Sequence, residues 1–148
     1  MESSYRSGQV FAQLDSWAKQ TRTGKAFDSS CEYILPSGAG CAPDASWVST
    51  AKLAKLTKAE LRKFPKLVPE FVAEVMSPSD RLAKAKQRAQ EWIDEGVELA
   101  WLIHGDAKTV WIYRADRAAQ KRIGISELSG EGPLQGFVLD LREIWAGL

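Results

Sequence analysis

The sequence contains one histidine, His104, and two cysteines, Cys31 and Cys41. Two cysteines at this spacing are too few for a zinc site, and nothing indicates an oxidising compartment, so both read as free thiols. No serine or cysteine stands in a motif that would make His104 a catalytic base, which argues against triad-type nucleophilic catalysis. No apolar run approaches the ~20 residues of a membrane span; the longest, Leu99-Ala100-Trp101-Leu102-Ile103, is strand-sized. The N-terminus, Met1-Glu2-Ser3-Ser4-Tyr5-Arg6, lacks the apolar core of a signal peptide. There is no internal repeat, low-complexity block or obvious linker. The expectation is one cytoplasmic domain spanning residues 1–148, whose apolar fraction of 45% suffices for a core.

Charge is nearly balanced overall, at +1, but not along the chain. Residues 50–90 carry ten Lys or Arg against four Asp or Glu, and the remainder carries ten against fifteen. A basic middle suits a polyanion whose counterions it displaces. The plainer reading is that Lys52, Lys55, Lys58, Lys63 and Lys66 form a solvated face.

Residues 8–20 place Val10, Phe11, Leu14, Trp17 and Ala18 on one helical face, with Gly24 as the stop. Two short strands are expected around Asp28-Ser29-Ser30, then a loop at Pro36–Gly40, and a strand from Ala42 to Val48 entered through Pro43. Thr57 and Glu60 have capping-box spacing for a short helix. Phe71–Met76 is strongly strand-like. Ser77, Pro78 and Asp80 suit the opening of a long helix whose buried stripe is Leu82, Ala85, Ala89, Trp92 and Ile93, ended by Gly96. A hairpin through His104–Lys108 is expected to join strands near 98–103 and 109–114, with further strands near 122–126 and 136–139. Asp140 and Glu143 are expected to cap a last helix. The order implies α+β, a mixed sheet flanked by helices.

Asp44 and Glu74 are single acids inside apolar, strand-like segments. Burying an unpartnered carboxylate costs several kcal/mol or drives it neutral. Two acids on neighbouring strands can stay charged by sharing a divalent cation, and Mg²⁺ prefers one or two carboxylates with water and phosphate oxygens. Alternatively, each accepts backbone N–H groups or pairs with a Lys or Arg.

Several segments occur in a familiar order. These are Pro43-Asp44-Ala45-Ser46-Trp47-Val48, Phe71-Val72-Ala73-Glu74-Val75-Met76-Ser77-Pro78-Ser79-Asp80, Glu91-Trp92-Ile93-Asp94-Glu95-Gly96 and Ala100-Trp101-Leu102-Ile103. Together with Phe27–Ser30, Ile34–Gly38 and Gly136–Leu139, they resemble the Uma-two family of restriction endonucleases, a bacterial branch of the PD-(D/E)XK nuclease superfamily. The resemblance spans residues 8–145. It implies a restriction-endonuclease-like sheet, cleavage of nucleic acid, most simply DNA, and Mg²⁺ or Mn²⁺ held by Asp44 and Glu74. Superfamily members often act as dimers, so a homodimer is compatible with it.

The chain departs from the family pattern in two places. The lysine that the superfamily often places two residues after its second acid is here Met76. In this family it lies on the following helix, four residues before an aromatic, which here is Arg88 before Trp92. Arg88 can hold phosphate charge but is a poor proton acceptor. At ~100° per residue, Lys86 falls on the other flank of the buried stripe and Lys84 points outward. Arg88 and Lys86 are therefore the candidate substitutes, against the simpler roles of ion pair and solvated face. The family also has a helix and hairpin before the segment matching residue 8, and its first matched helix often supplies an acid. Here that helix offers Gln9, Gln13 and Asp15, and a missing edge element predicts an exposed strand. These departures leave open a nuclease-like fold that binds nucleic acid or another partner without cutting. Trp17, Trp92 and Trp101 read as core, whereas Trp47 and Trp111 could face either way.

Overall fold

A computed structural model describes residues 1–148. Its helices are α1 (Glu2–Thr21), α2 (Thr50–Leu53), α3 (Leu82–Asp94) and α4 (Arg142–Ala146). Its strands are β1 (Gly24–Asp28), β2 (Tyr33–Ile34), β3 (Gly40–Cys41), β4 (Ala45–Ser49), β5 (Phe71–Val75), β6 (Leu99–His104), β7 (Thr109–Arg114), β8 (Arg117–Ile123), β9 (Glu127–Ser129) and β10 (Val138–Asp140). Six strands form one mixed sheet in the order β1-β4-β5-β6-β7-β8, and two small hairpins, β2-β3 and β9-β10, lie apart from it. No helix is long and apolar enough to cross a membrane.

The sheet is antiparallel except between β5 and β6. A parallel pair needs a crossover, and α3 supplies it. Both faces of the central strands are covered. Phe71, Ala73, Val75, Trp101 and Ile103 face a core completed by Val10, Leu14 and Ala18 of α1 and by Ile144 of α4. Val72, Ala100, Leu102 and Trp111 face a second core completed by Ala89, Trp92 and Ile93 of α3 and by Tyr33. This double burial explains why β5 and β6 read as nearly continuous apolar runs rather than alternating ones. Trp47 and Trp111 both turn inward.

Several expected boundaries move, each for a local reason. Helix α1 starts at Glu2 and is closed by Arg22, whose φ of 56° is left-handed. Gly24 is not the stop but the first residue of β1, where a Cβ would overlap the Trp47 ring. Helix α3 begins at Leu82 rather than after Ser77. The Ser77 N–H instead donates to Asp80 Oδ2 at 2.7 Å, closing a turn that holds the segment outside the helix. Strand β1 pairs with β4, not with its sequence neighbour β2. Strand β8 spans Arg117–Ile123 instead of 122–126, because this outer edge strand is defined by its ladder to β7 and is almost wholly exposed. The Thr57–Glu60 capping box forms reciprocally, at 2.7 and 3.2 Å, although it closes only a single 3-10 turn, Glu60–Arg62.

Phe71 is fully buried and meets Trp101 edge to face at 5.0 Å between ring centroids. Phe71→Ala should cost about 3–5 kcal/mol in urea unfolding. Val138→Ala, at a position 47% exposed, should change stability by under about 0.5 kcal/mol.

Candidate active site

The register that pairs Ala45 with Ala73 sets Asp44 opposite Glu74 one step further along. Strand alternation turns both acids to the α3 face, where Ser46, Val48 and Val72 are core positions. Glu74 thus occupies a place that packing would give to an apolar residue, and its side chain is only 13% exposed.

Each carboxylate is held by one oxygen. Asp44 Oδ2 accepts the Val75 backbone N–H at 2.7 Å. Glu74 Oε1 accepts both the Trp92 Nε1–H at 2.8 Å and the Arg88 Nε–H at 3.0 Å. Arg88 also donates to the Ala42 carbonyl at 3.2 Å, so its guanidinium bridges the segments that carry the two acids. Beyond the contact between the two carboxyl groups themselves, no other protein group donates to Asp44 Oδ1 or Glu74 Oε2. Burial pushes the Asp44 carboxyl above its ordinary range, against the pull of the Val75 N–H and Arg88. Burial, reinforced by the charge of Asp44, pushes Glu74 up to about 7 despite Arg88 and Trp92.

The acids lie in a cleft of about 1130 Å³. One wall is the first half of α1, which offers Ser3, Ser4, Ser7 and Gly8. The opposite wall is the Met76–Arg81 segment and α3, which offer Arg81, Lys84 and Arg88. Most residues lining it are polar, which suits a charged, hydrated substrate better than an apolar small molecule. Asp28, Asp80 and Glu91 also line the cleft, but no three His, Cys, Asp or Glu side chains of the chain are grouped so as to hold a metal ion.

Asp44, Glu74 and Arg88 come together, whereas Lys86 does not join them. Lys86 leans over the Trp111 ring at 5.0 Å, on the other flank of α3. The basic residues of α2 and the loop after it also lie elsewhere: Lys52 of α2 donates to the Val68 carbonyl at 2.6 Å, and neither Lys63 nor Lys66 of the loop lines the cleft. Asp15 pairs with Lys19 at 2.7 Å, and Gln13 exchanges two hydrogen bonds with the Asp140 backbone, so neither lines the cleft, to which α1 presents serines instead. His104 Nδ1 accepts the Ala107 N–H at 3.3 Å and serves the β6–β7 turn. Trp92 reads as core in sequence, yet its indole N–H reaches Glu74. The spacing of four from Arg88, one helical turn, was the available signal. Arg81 and the α1 serines carry no sequence signal, since only the packing of α1 across the sheet brings them to the cleft.

Residues 2–142 match the model of the Uma2 family, described as "Putative restriction endonuclease". A crystal structure at 1.96 Å of a "putative nuclease" from Anabaena variabilis is similar in fold, with a TM-score of 0.82 and 16% identity over 99% of this chain and 81% of that one. A DrdV–DNA complex aligns more loosely, with a TM-score of 0.47 and 10% identity over 74% of this chain and 9% of that one. Comparison with curated proteins gives no match.

An acid whose folded pKa lies above its unfolded value holds its proton more tightly when folded, so stability falls as pH rises between the two values. For Glu74 that window runs from 4.5 to about 7. In metal-free buffer the unfolding free energy should drop by about 2–3 kcal/mol more in the wild type than in Glu74→Gln between pH 5 and pH 8. Parallel pH profiles of the two proteins in urea denaturation would rule this out.

Proposed function

The chain belongs to the Uma2 restriction-endonuclease family, and we propose on that premise that it hydrolyses DNA phosphodiester bonds with a divalent cation, Mg²⁺ or Mn²⁺, held between Asp44 and Glu74. The observation that carries the proposal is the buried carboxylate pair facing one cleft, each acid anchored by the surrounding donors through one oxygen only. The residues fit such a cation. It would offset the repulsion within the pair, and Mg²⁺ completes its shell with water and phosphate oxygens when only two carboxylates are offered. When bound, it supplies an activated water and offsets charge on the phosphorus centre.

The chain's own residues orient and compensate. The Val75 N–H fixes Asp44, while Trp92 and Arg88 fix Glu74 through a single oxygen. Arg88 stays protonated, so its role is to donate to a non-bridging phosphate oxygen as charge develops there, not to take a proton from water. Arg81 and Lys84 meet the phosphates flanking the scissile bond by charge. The serines of α1 donate or accept at the opposite wall.

One observation favours a second reading, in which the chain binds nucleic acid without cutting it. Arg88 already neutralises Glu74, as a cation would, and the guanidinium could take that place permanently. Plasmid nicking in Mg²⁺ separates the two. The cleaving enzyme should lose all activity in Asp44→Ala and Glu74→Ala, lose about 10²-fold in Arg88→Ala, and keep activity in Arg88→Lys. Salt-sensitive binding of a duplex without nicking, and without Mg²⁺ uptake by calorimetry, would instead establish the binder. Nicking that survives Glu74→Ala would refute this site assignment.

A further inference from the structure

We infer that Lys86 and Lys121, seated together on Trp111, form a second phosphate-binding site that holds the nucleic-acid backbone after it leaves the cleft. The inference rests on the nucleic-acid reading above but not on cleavage. Lys86 Nζ lies 5.0 Å and Lys121 Nζ 5.8 Å from the centroid of the same indole ring. Trp111 is itself only 6% exposed, so the ring is a fixed platform. Both ammonium groups are drawn to one ring, and neither has a carboxylate partner, since the chain's ion pairs all involve other groups. The charge that such a pair lacks is an anion's, and Lys–phosphate contacts take this form.

The sheet places this site relative to the acids. Glu74 pairs with Leu102, Leu102 with Trp111, and Trp111 with Lys121, so the four side chains form one row on the α3 face. Three strand spacings of about 4.8 Å separate the ends of the row by about 14 Å. That is well inside one turn of a duplex, ~34 Å. Helix α3 lies over the middle of the row, with Arg88 on the Glu74 side and Lys86 on the Trp111 side. A backbone leaving the cleft past Arg81 and Lys84 crosses the first turns of α3 and reaches Lys86 and Lys121. The alternative is that the two lysine stems merely cover the indole. In that case their charge has no external partner.

The test is the salt dependence of binding of a short labelled DNA duplex, read by fluorescence anisotropy in EDTA. In Lys86→Gln/Lys121→Gln the slope of log affinity against log salt should become shallower by about one to two, with a several-fold loss of affinity. Lys86→Arg/Lys121→Arg and a remote control, Lys55→Gln/Lys58→Gln, should keep the wild-type slope. Equal slopes in the wild type and the Gln pair would overturn the inference, as would an equal change in the control or a wild type that does not bind the duplex. Mg²⁺ calorimetry on the same proteins reads the carboxylate site separately. Mg²⁺ binding with unchanged slopes removes the second site and leaves the first, whereas altered slopes without Mg²⁺ binding do the reverse.

Discussion

The structure turns on one electrostatic constraint: a carboxylate, Glu74, stands in the row of a doubly covered central strand where an apolar side chain would pack. Its neighbours in β5 are buried on both faces, and Asp44 lies opposite it. Two carboxylates cannot both be charged in such a place without compensation. What surrounds them is compensation of three kinds: the Val75 backbone N–H, the Trp92 indole N–H and the Arg88 guanidinium. All three engage only one oxygen of each acid.

The topology brings two of these three groups to the pair. The parallel step from β5 to β6 obliges the chain to cross over the sheet, and the crossover is α3, which carries Arg88 and Trp92. Helix α1 covers the opposite face of the sheet with Val10, Leu14 and Ala18, while its first turns extend to the cleft rim. Each helix therefore performs two tasks, filling a core with one side and furnishing a wall of the site with another. Arg6, only 5% exposed, secures α1 by donating to the Ile144 carbonyl and pairing with Asp106 and Glu2. That anchorage holds the first turns of α1, with their serines, against the rest of the fold.

The basic stretch seen in the sequence divides once it is folded. Arg81, Lys84 and Arg88 reach the cleft, Lys86 turns to Trp111, and Lys52 is consumed by the Val68 carbonyl and Glu70. Net charge over a window therefore overstated the reach of the loop and understated that of α3. A charge acts on a ligand only where the backbone directs it, and here α3 directs Lys84 and Arg88 to one side, beside Arg81 of the preceding turn, and Lys86 to the other.

Much of this was legible in the sequence. Buried strands announce themselves as apolar runs, so β4, β5, β6 and β7 stood out, and a lone acid inside such a run marks itself as costly; that is why Asp44 and Glu74 were visible without a structure. The helical spacing of Leu82, Ala85, Ala89, Trp92 and Ile93 likewise disclosed α3 and the flank on which Arg88 lies, although Leu82, in the first turn, is exposed rather than buried. What only the tertiary structure decided is whatever depends on register and on distant packing. The pairing of β1 with β4, the exposed ladder of β8, the serine wall contributed by α1, the indole N–H aimed at Glu74 and the meeting of Lys86 with Lys121 all join residues remote in sequence or leave no apolar period. Periodicity reports which face of an element is buried; it does not report what that face meets, because that is set by hydrogen-bond ladders and helix placement across the whole sheet.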